Sequence, residues 1–381
     1  MKCLQICNDF MGSKVHENLY RELDERGIQQ VIFYPVRKAK IKKVEKYKKN
    51  PDFEVIYSRP LRPYHAFLFR NKIRFLYKDL ESNTDLKQFD IVHATTLFSD
   101  GALALKLNEK FNIPYIVAVR GSDVNVFFNY RKDLYFLARK ILRKASRIIF
   151  VSTSLKRNFF KDSFINKLRP EINDKCVVIN NGLDSHWLND LRPKKMITPS
   201  KLVYIGNFDI NKNILRLIDA VVIAQKKYKD LSLDLVGGGG KYHEKVVAAI
   251  EANKSIVTYH GAIYDKKKLK EIYSKTHILA MTSISETFGL VYVEALTQGL
   301  PIICSKNQGI DGTFTEKVGE FVNPNSVTSI AEAIQHMVLE YQNYDIDQLD
   351  FSQFDWKSIA DAYINIYNSI IPQKKITKHA E

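Results

Sequence analysis

Two runs of alternating strand-like and helix-like segments constrain the fold of this chain most strongly. The first run opens with the apolar segment KCLQIC at residues 2–7, followed by a loop and an amphipathic segment from Lys14 to Arg26 that Gly27 closes. The second run opens with LVYIGNF at residues 202–208. Strands that alternate with helices form parallel, doubly wound sheets, which bind ligands beyond the carboxyl ends of their strands. We therefore expect an α/β protein with two such sheets.

The break between the two runs predicts the domain organisation. Residues 191–200, LRPKKMITPS, are rich in proline and lysine and lack apolar periodicity, which is typical of a linker. We expect an N-terminal domain at residues 1–190 and a C-terminal domain at residues 201–355. A final amphipathic helix and a polar tail then occupy residues 356–381.

The composition excludes several classes of protein. No apolar run approaches the roughly 18 residues that a membrane-spanning helix needs. The four cysteines include no C-x-x-C pair, which favours free thiols in a reducing cytoplasm over a disulfide or zinc framework. We therefore expect a cytoplasmic protein.

The net charge of +16 is concentrated in the first half of the chain. Residues 1–190 have 35 Lys and Arg against 21 Asp and Glu, a net charge of +14, whereas residues 191–381 have 23 against 21, a net charge of +2. Such asymmetry indicates an anionic partner, either a membrane surface or a nucleic acid, although solvated surface lysines would give the same count.

Two basic stretches contribute to this charge. Residues 37–49 have eight basic residues and one acidic residue, and the stretch from Arg59 to Lys78 mixes arginines with aromatic residues. The second stretch could form an amphipathic helix at a membrane surface. It could equally be a helix that faces the core, with arginines whose charged ends reach solvent.

The stretch ETFGLVYVEALTQGLP at residues 286–301 is the strongest candidate for a functional site. Gly289 frees the backbone before a helix that we expect from near Phe288 to near Gly299. The first amides of a helix lack intrahelical acceptors and lie at its positive end, so they suit a phosphate or a sugar hydroxyl. Glu294 lies about 7 to 8 Å further along the axis, where a carboxylate can accept from both hydroxyls of a ribose.

A purely structural interpretation of the same stretch remains open. Ser283 and Glu286 fit the S-x-x-E pattern of a capping box, in which the glutamate closes the helix start. Glu294 would then be an ordinary solvated helix position.

The stretch resembles the E-x7-E signature of retaining glycosyltransferases of family 4, which reads roughly E-x-F-G-x4-E-A-x3-G-x-P. Every fixed position is matched, by Glu286, Phe288, Gly289, Glu294, Ala295, Gly299 and Pro301. The resemblance implies a GT-B fold, in which two Rossmann-like doubly wound domains face each other across a cleft and the C-terminal helix crosses back to the first domain. It also implies transfer of a sugar from a nucleotide-diphosphate-sugar donor, with retained configuration, to an acceptor held mainly by the first domain.

The resemblance also implies roles for individual residues. Glu286, Lys212 and Arg120 are the expected catalytic residues, although family members often have a histidine in the place of Arg120. His93 and Asp123 are expected on the acceptor or sugar side. The expected donor-binding residues are Gly12, Gly206, Asn207, Lys212, Gly238, Phe288, Gly289, Leu290, Val291 and Glu294. Asn207 replaces an arginine that usually follows the glycine, which removes one fixed positive charge.

The implied chemistry is mainly electrostatic, because positive groups stabilise the departing diphosphate; neither a metal nor a cofactor is expected. We expect a hexosyltransferase peripheral to the inner face of the membrane, acting on a glycan or lipid-linked acceptor in cell-surface polysaccharide or lipopolysaccharide synthesis. Two alternatives remain. One is a nucleotide-sugar epimerase or phosphorylase of the same architecture. The other is a nucleic-acid-binding protein, which only the charge suggests, since no ribonucleoprotein motif, zinc spacing or repeat is found and no nucleic-acid partner is expected.

Overall fold

A computed structural model describes residues 1–49 and 51–371 of the chain. It divides into two compact units, each of which contains one sheet. The first unit comprises Met1–Val151, Asn158–Gly182 and the chain from Trp356 onward, and the second comprises Ser152–Arg157 and Leu183–Asp355. Residues 191–200 lie within the second unit, and their role as a linker stays a prediction. The expected C-terminal tail, residues 372–381, lies outside the described residues.

The first unit is built on a seven-stranded parallel sheet in the order β3-β2-β1-β4-β5-β6-β7. Its strands are β1 (Lys2–Ile6), β2 (Gln29–Tyr34), β3 (Val55–Tyr57), β4 (Ile91–Ala94), β5 (Tyr115–Val119), β6 (Arg147–Phe150) and β7 (Cys176–Val178). The central strands β1, β4 and β5 are buried almost throughout, as expected for a parallel sheet covered by helices.

Helices connect these strands in the alternation that the sequence predicted. They are α1 (Lys14–Glu25), α2 (Ile41–Lys48), α3 (Phe69–Asn83), α4 (Ser99–Phe111), α5 (Phe128–Tyr130), α6 (Tyr135–Lys144), α7 (Thr153–Phe159) and α8 (Ser163–Ile172). Most of α7 belongs to the second unit. The Ser13 hydroxyl caps α1 by accepting from the Val15 amide at 3.2 Å. Asp123–Phe127 form one π-helical turn before α5.

The helix predicted within the basic and aromatic stretch is shorter than expected. The structure places the start of α3 at Phe69, so residues 59–68 are a loop with a single 3-10 turn at Pro63–Ala66. Proline at position 63 lacks an amide hydrogen and favours such a turn. Ile73, Leu76 and Leu80 of α3 are buried, whereas Phe67 and Leu68 in the loop are exposed.

The second unit contains a six-stranded parallel sheet in the order β10-β9-β8-β11-β12-β13. Its strands are β8 (Lys201–Asn207), β9 (Ser232–Gly238), β10 (Val257–Tyr259), β11 (Ile278–Met281), β12 (Ile302–Ser305) and β13 (Gly319–Val322). Its helices are α9 (Ser185–Leu188), α10 (Ile214–Gln225), α11 (His243–Ala252), α12 (Lys266–Lys275), α13 (Leu290–Thr297) and α14 (Val327–Leu339).

The last helix, α15 (Trp356–Ile370), belongs to the first unit and packs against α1. Its buried side chains, which include Trp356, Tyr363 and Tyr367, join the same core as Cys3 and Tyr20. Residues near the two ends of the chain therefore share one hydrophobic core. Across residues 1–49 and 51–371, the structure has no helix with the length and apolar character that crossing a membrane requires.

Candidate functional site

An ion pair between Lys212 and Glu286 marks the candidate site in the second unit. The Lys212 Nζ atom lies 2.7 Å from the Glu286 Oε2 atom, and both side chains are mostly but not fully buried. Lys212 follows β8 and Glu286 follows β11, which are neighbouring strands of the sheet. The pair therefore lies beyond the carboxyl ends of two parallel strands, where α/β proteins bind ligands.

Two asparagines fix the turn that carries Lys212. The Asn211 side chain donates to the Ser285 carbonyl at 2.7 Å and accepts from the Ser285 amide at 2.9 Å. Asn213 adopts a left-handed conformation with φ of 58°, and its side-chain amide donates to the carbonyls of Thr282 and Pro324. Asparagine tolerates this conformation better than most residues, so the sequence itself favours the turn. Together these bonds connect the turn to the loop that contains Glu286.

Hydrogen bonds also fix the backbone around Glu286. Its amide donates to the Gln308 side-chain oxygen at 3.0 Å, and its carbonyl accepts from the Gly309 amide at 2.8 Å. Its second carboxylate oxygen accepts from the Thr287 amide at 3.1 Å. The Glu286 carboxylate is thus oriented by a backbone amide on one side and by Lys212 on the other.

The capping-box interpretation is wrong. The helix α13 begins at Leu290, its N-cap is Gly289, and the buried Ser283 hydroxyl has no hydrogen-bond partner in the described chain. Glu286 lies three residues before that N-cap and pairs with Lys212 instead. Our expected helix start near Phe288 is also two residues too early, because Gly289 has a φ of 79°, which interrupts the helical backbone.

Gly289 also allows a close approach that no other residue would permit. A Cβ atom at this position would lie 2.6 Å from the Tyr292 ring. Leu290 and Val291 are partly exposed. Because they form the first turn of α13, their amides lie at the positive end of the helix. The Phe288 side chain, in contrast, is buried and packs 6.0 Å from the Phe354 ring, so only its backbone is available to a ligand.

Glu294 lies on the same helix, one turn beyond these amides. Burial is the main reason that the pKa of its carboxyl rises from 4.5 to about 7, with the Asp184 charge adding to the rise and Lys266 opposing it. Its carboxylate forms no hydrogen bond with another side chain or backbone group in the described residues. In its ionised form, this carboxylate can offer all of its acceptor positions to the hydroxyls of a ligand.

The expected donor-side residues Gly206, Asn207 and Gly238 lie at the ends of the adjacent strands β8 and β9. Asn207 pairs with Gly238 in the strand register, and the Asn207 side chain is exposed. A Cβ atom at Gly237 would lie 1.8 Å from the Gly206 carbonyl oxygen. The glycines therefore bring two backbones into close contact at this strand end, as Gly-rich loops near ligands do.

Sequence reasoning missed several residues of this site. Asn211, Asn213 and Gln308 hold the two loops together. The His243 ring stacks on Phe208 at 5.7 Å, and its buried Nδ1 atom has no hydrogen-bond partner among the described residues. Asn213, the N-cap of α10, has positive φ, and because asparagine tolerates this conformation the sequence carried a weak indication of this turn. The contact between Gln308 and Glu286 carried none, because nothing local in the sequence indicates it.

The remaining predicted residues lie in the first unit. Gly12 closes a turn in which its amide donates to the Asp9 carbonyl at 2.7 Å, and a Cβ atom at Gly12 would lie 2.0 Å from Asp9 Oδ1. Arg120 follows β5, and its Nε atom donates to the Thr95 carbonyl at 3.1 Å. Both residues lie beyond the carboxyl ends of strands, as expected.

Asp123 does not have the free carboxylate that an acceptor contact requires. It is 1% exposed, and its oxygens accept from the backbone amides of Leu97, Phe98 and Arg120. Burial raises the pKa of this carboxyl to about 6, although those three amides oppose the rise. Asp123 therefore joins the loops that follow β4 and β5, and its effect on a ligand would be indirect.

His93 is also buried, in contrast to its expected place at an open strand end. It is 1% exposed inside β4, its Nδ1 atom lies 2.9 Å from the Tyr367 hydroxyl, and its ring packs against Tyr363. Burial, assisted by the Arg120 charge, lowers the pKa of His93 to about 3, so the ring is neutral. The C-terminal helix covers this histidine, which the sequence of β4 alone does not reveal.

Comparison with known proteins identifies relatives that align with most of the chain. A family model described as Glycosyltransferase Family 4 matches residues 13–187, and one described as Glycosyl transferases group 1 matches residues 190–346. The putative teichuronic acid biosynthesis glycosyltransferase TuaC of Bacillus subtilis is 24% identical over an alignment of 348 positions, gaps included, which covers 84% of this chain and 83% of TuaC. An uncharacterized glycosyltransferase of Methanocaldococcus jannaschii is 25% identical over an alignment of 303 positions, gaps included, which covers 77% of this chain and 79% of that protein.

Solved structures show the same fold. The lipopolysaccharide outer core galactosyltransferase WaaB in its apo form superposes with a TM-score of 0.72 and 18% identity, covering 97% of this chain and 99% of WaaB. Anabaena HepE in complex with UDP superposes with a TM-score of 0.72 and 18% identity, covering 97% of this chain and 100% of HepE. The two parallel sheets and these likenesses confirm the predicted two-domain α/β fold of the GT-B class.

Proposed function

The chain belongs to the group 1 and family 4 glycosyltransferases, and on this basis we propose that it transfers a hexose from a nucleoside-diphosphate sugar to a glycan or lipid-linked acceptor, with retention of the anomeric configuration. The observation that carries the proposal is the Lys212–Glu286 ion pair beside the first turn of α13. This arrangement provides a cation and helix amides for an anionic diphosphate, together with a carboxylate for sugar hydroxyls.

Lys212 serves as the main counter-charge of the donor diphosphate. Its ammonium group has three hydrogens, so it can keep its bond to Glu286 and still donate to phosphate oxygens. When the bond between the sugar and the diphosphate breaks, negative charge grows on the leaving oxygen. A fixed cation and fixed amides stabilise that charge without reorganisation, which lowers the barrier to transfer.

Glu286 positions the reacting sugar, and Glu294 accepts from the ribose diol. The Glu286 carboxylate is held by Lys212 and the Thr287 amide, so it presents a defined orientation to sugar hydroxyls. Gly206, Asn207 and Gly238 line the donor side, where their small or polar character lets the phosphates approach the backbone. The likeness to HepE, whose structure contains UDP, supports a nucleotide donor.

In the first unit we assign Gly12 to the diphosphate and Arg120 to a phosphate or an acidic acceptor. The Arg120 guanidinium donates from Nε to a backbone carbonyl, which leaves its terminal nitrogens available for a ligand. We propose no direct ligand contact for His93 or Asp123, because both are 1% exposed. Their role would be to hold β4 and the loop before Asp123 in place.

We propose that the reaction does not require a metal ion, because Lys212 and the first-turn amides already supply positive potential at the diphosphate. We also propose that the protein works at the inner face of a membrane in the synthesis of a cell-surface polysaccharide or lipopolysaccharide. The likeness to TuaC, named for teichuronic acid biosynthesis, and to WaaB, named for the lipopolysaccharide outer core, supports this role, and the net charge of +14 over residues 1–190 supports the location.

The test is the stereochemistry of the product. Purified protein is incubated with a panel of nucleotide sugars and candidate acceptors, and the new linkage is identified by nuclear magnetic resonance. We expect a product whose anomeric configuration matches that of the donor. A product of inverted configuration would reject the retaining mechanism, and conversion of donor without any acceptor product would favour an epimerase or a phosphorylase.

A further inference from the structure

An aromatic surface of the first unit has no assigned role. Phe67, Tyr130 and Phe136 are 81%, 79% and 78% exposed, and Leu68 and Val126 are about half exposed. Large apolar side chains exposed together at the surface of a protein mark sites of interaction. These five residues belong to three separate segments of the chain, so neither local sequence nor a single loop explains their exposure.

Contacts around Phe69 join the three segments into one surface. The Phe69 ring lies 6.4 Å from Phe127, and the Arg131 guanidinium lies 5.9 Å from the same ring. Arg131 also donates to the Ala66 carbonyl at 3.4 Å. Phe69 and Phe136 line one groove between α3, α4 and α6. We call the exposed residues Phe67, Leu68, Val126, Tyr130 and Phe136 the Phe69 surface.

The groove beside Phe136 has an apolar floor and a cationic rim. Its volume is about 510 Å³, its floor includes Phe69, Ile73 and Leu105, and its rim carries Arg70, Arg74, Lys106 and Lys140. The two acids at the rim are already engaged, since Glu109 pairs with Lys140 at 2.5 Å and Asp133 pairs with Arg131 at 2.8 Å. Over the described parts of the chain, Arg70, Arg74 and Lys106 have no carboxylate within ion-pair distance.

The combination of features selects one kind of partner. An apolar protein partner would supply no counter-charge for three cations that lack carboxylate partners. A single-stranded nucleic acid stacks its bases on aromatic faces, but the exposed Leu68 and Val126 offer no such face. The surface of an anionic bilayer presents phosphates to arginine and lysine, and just beneath them an acyl boundary that accepts aromatic rings.

We propose that the Phe69 surface docks the protein onto an anionic phospholipid bilayer. Phe67, Tyr130 and Phe136 enter the boundary between head groups and acyl chains, while Arg70 and Arg74 bind lipid phosphates. This inference deepens the proposed location at the inner membrane face and rests on it, but donor chemistry does not depend on it. Docking would bring the first unit close to an acceptor anchored in the same bilayer.

The direct test is sedimentation of the full chain with vesicles of phosphatidylcholine alone or mixed with phosphatidylglycerol. We expect binding to the anionic vesicles only, and weaker binding at high salt, because exposed charges are screened beyond about 3 Å at 1 M salt. The double variant Arg70→Gln/Arg74→Gln should bind anionic vesicles roughly thirtyfold more weakly, since each basic residue near such a surface contributes about fivefold in affinity.

A matched control separates this surface from the general basic charge of the domain. Lys42 and Lys46 are exposed on α2 in the same unit, and the double variant Lys42→Gln/Lys46→Gln removes the same charge. We expect that variant to bind vesicles nearly as the unmodified protein does. Equal losses in the two double variants would overturn the proposal, because binding would then depend on total charge.

Insertion of the aromatic residues has its own readout. Phe136→Trp should show a blue-shifted tryptophan emission when anionic vesicles are added, whereas Tyr264→Trp, at a residue of the second unit that is 88% exposed, should show none. The absence of a shift at position 136 would contradict insertion.

Two further measurements distinguish the outcomes. Release of nucleoside diphosphate with a soluble acceptor should be unchanged in Arg70→Gln/Arg74→Gln. Loss of vesicle binding with normal release would support docking. Loss of vesicle binding together with loss of release would overturn the proposal. A dimer in analytical ultracentrifugation that Phe136→Ser dissociates would assign the surface to a second copy of the chain and overturn the proposal.

Discussion

Glu294 combines a proposed ligand contact with an environment that opposes its charge. Its pKa is raised from 4.5 to about 7 mainly by burial, so near neutral pH a substantial fraction of the free protein holds it protonated. Accepting hydrogen bonds from both hydroxyls of a ribose favours the ionised form. Donor binding and ionisation of Glu294 are therefore coupled.

We predict that donor affinity depends on pH through this residue. For the unmodified protein, the affinity should fall several-fold as the pH drops from 8 through about 7 to 6, because the carboxylate becomes protonated. In Glu294→Gln the affinity should be lower at pH 8, by about 1.5 to 3 kcal/mol for a charge-assisted bond, and nearly independent of pH. Calorimetric titration with the donor at several pH values measures both effects, and the same pH profile in both proteins would contradict the ribose role.

The same substitution should stabilise the protein without donor. A folded-state pKa above that of the unfolded chain means that the folded state holds the proton more tightly, so stability is greatest below pH 4.5 and is lost as the pH rises through about 7. Glutamine carries no charge at any pH. We expect Glu294→Gln to raise the free energy of unfolding above pH 7 by about 2 to 3 kcal/mol, and to change it little near pH 4.5. Denaturation at the two pH values checks this; a loss of stability above pH 7 would show that the ionised carboxylate is satisfied within the fold.

At the scale of single elements, the start of α13 depends on Gly289. Its φ of 79° and the 2.6 Å approach of a Cβ atom to the Tyr292 ring are two separate obstacles to substitution. Because Tyr292 is fully buried and its hydroxyl donates to the Met281 carbonyl at 2.7 Å, the ring cannot move aside easily.

We predict that Gly289→Ala destabilises the second unit more than Gly261→Ala does. Gly261 also has positive φ, 67°, but a Cβ atom there would meet no atom of residues 1–49 and 51–371 within 4 Å. Alanine should cost about 1 to 2 kcal/mol at Gly261 from backbone strain alone, and about 1 to 3 kcal/mol more at Gly289 from overpacking. Chemical denaturation of the two variants measures the difference, and equal losses would show that the ring relaxes.

The sequence predicted local elements well and contacts distant in sequence poorly. Alternating periodicity indicated both parallel sheets, and the glycine before α13 indicated a helix start close to the observed one. The sequence could not indicate that Gln308 contacts Glu286 or that Asn211 contacts Ser285, because these pairs meet only when separate strands are side by side. Burial of His93 was equally inaccessible, because the covering residue Tyr367 lies 274 positions away.

At the scale of the whole molecule, α15 completes the core of the first unit. Tyr363 is buried against His93, while Asn365 on the same helix is exposed. The unit therefore contains residues from near both ends of the chain, and its folding requires contacts of long sequence separation. Such topology favours slow folding relative to units with local contacts.

We predict that Tyr363→Ala destabilises the first unit strongly, whereas Asn365→Ala does not. Removing a buried aromatic side chain typically costs about 3 to 5 kcal/mol, and an exposed substitution usually stays within about 0.5 kcal/mol. Limited proteolysis and thermal unfolding of the two variants measure the effect. Equal behaviour of both variants would contradict the assignment of α15 to this core.

The central claim is that this chain is a glycosyltransferase whose donor diphosphate is neutralised by Lys212. Release of nucleoside diphosphate from a panel of nucleotide sugars, with acceptor and with a metal chelator present, tests it most directly. We expect release from at least one donor in the presence of chelator. We also expect Lys212→Ala to lose about 10² to 10³-fold in activity, the cost typical of removing one group that stabilises transition-state charge. The control Lys226→Ala, at an exposed lysine after α10, should keep full activity. Unchanged release in Lys212→Ala, or release that requires an added divalent metal, would contradict the account.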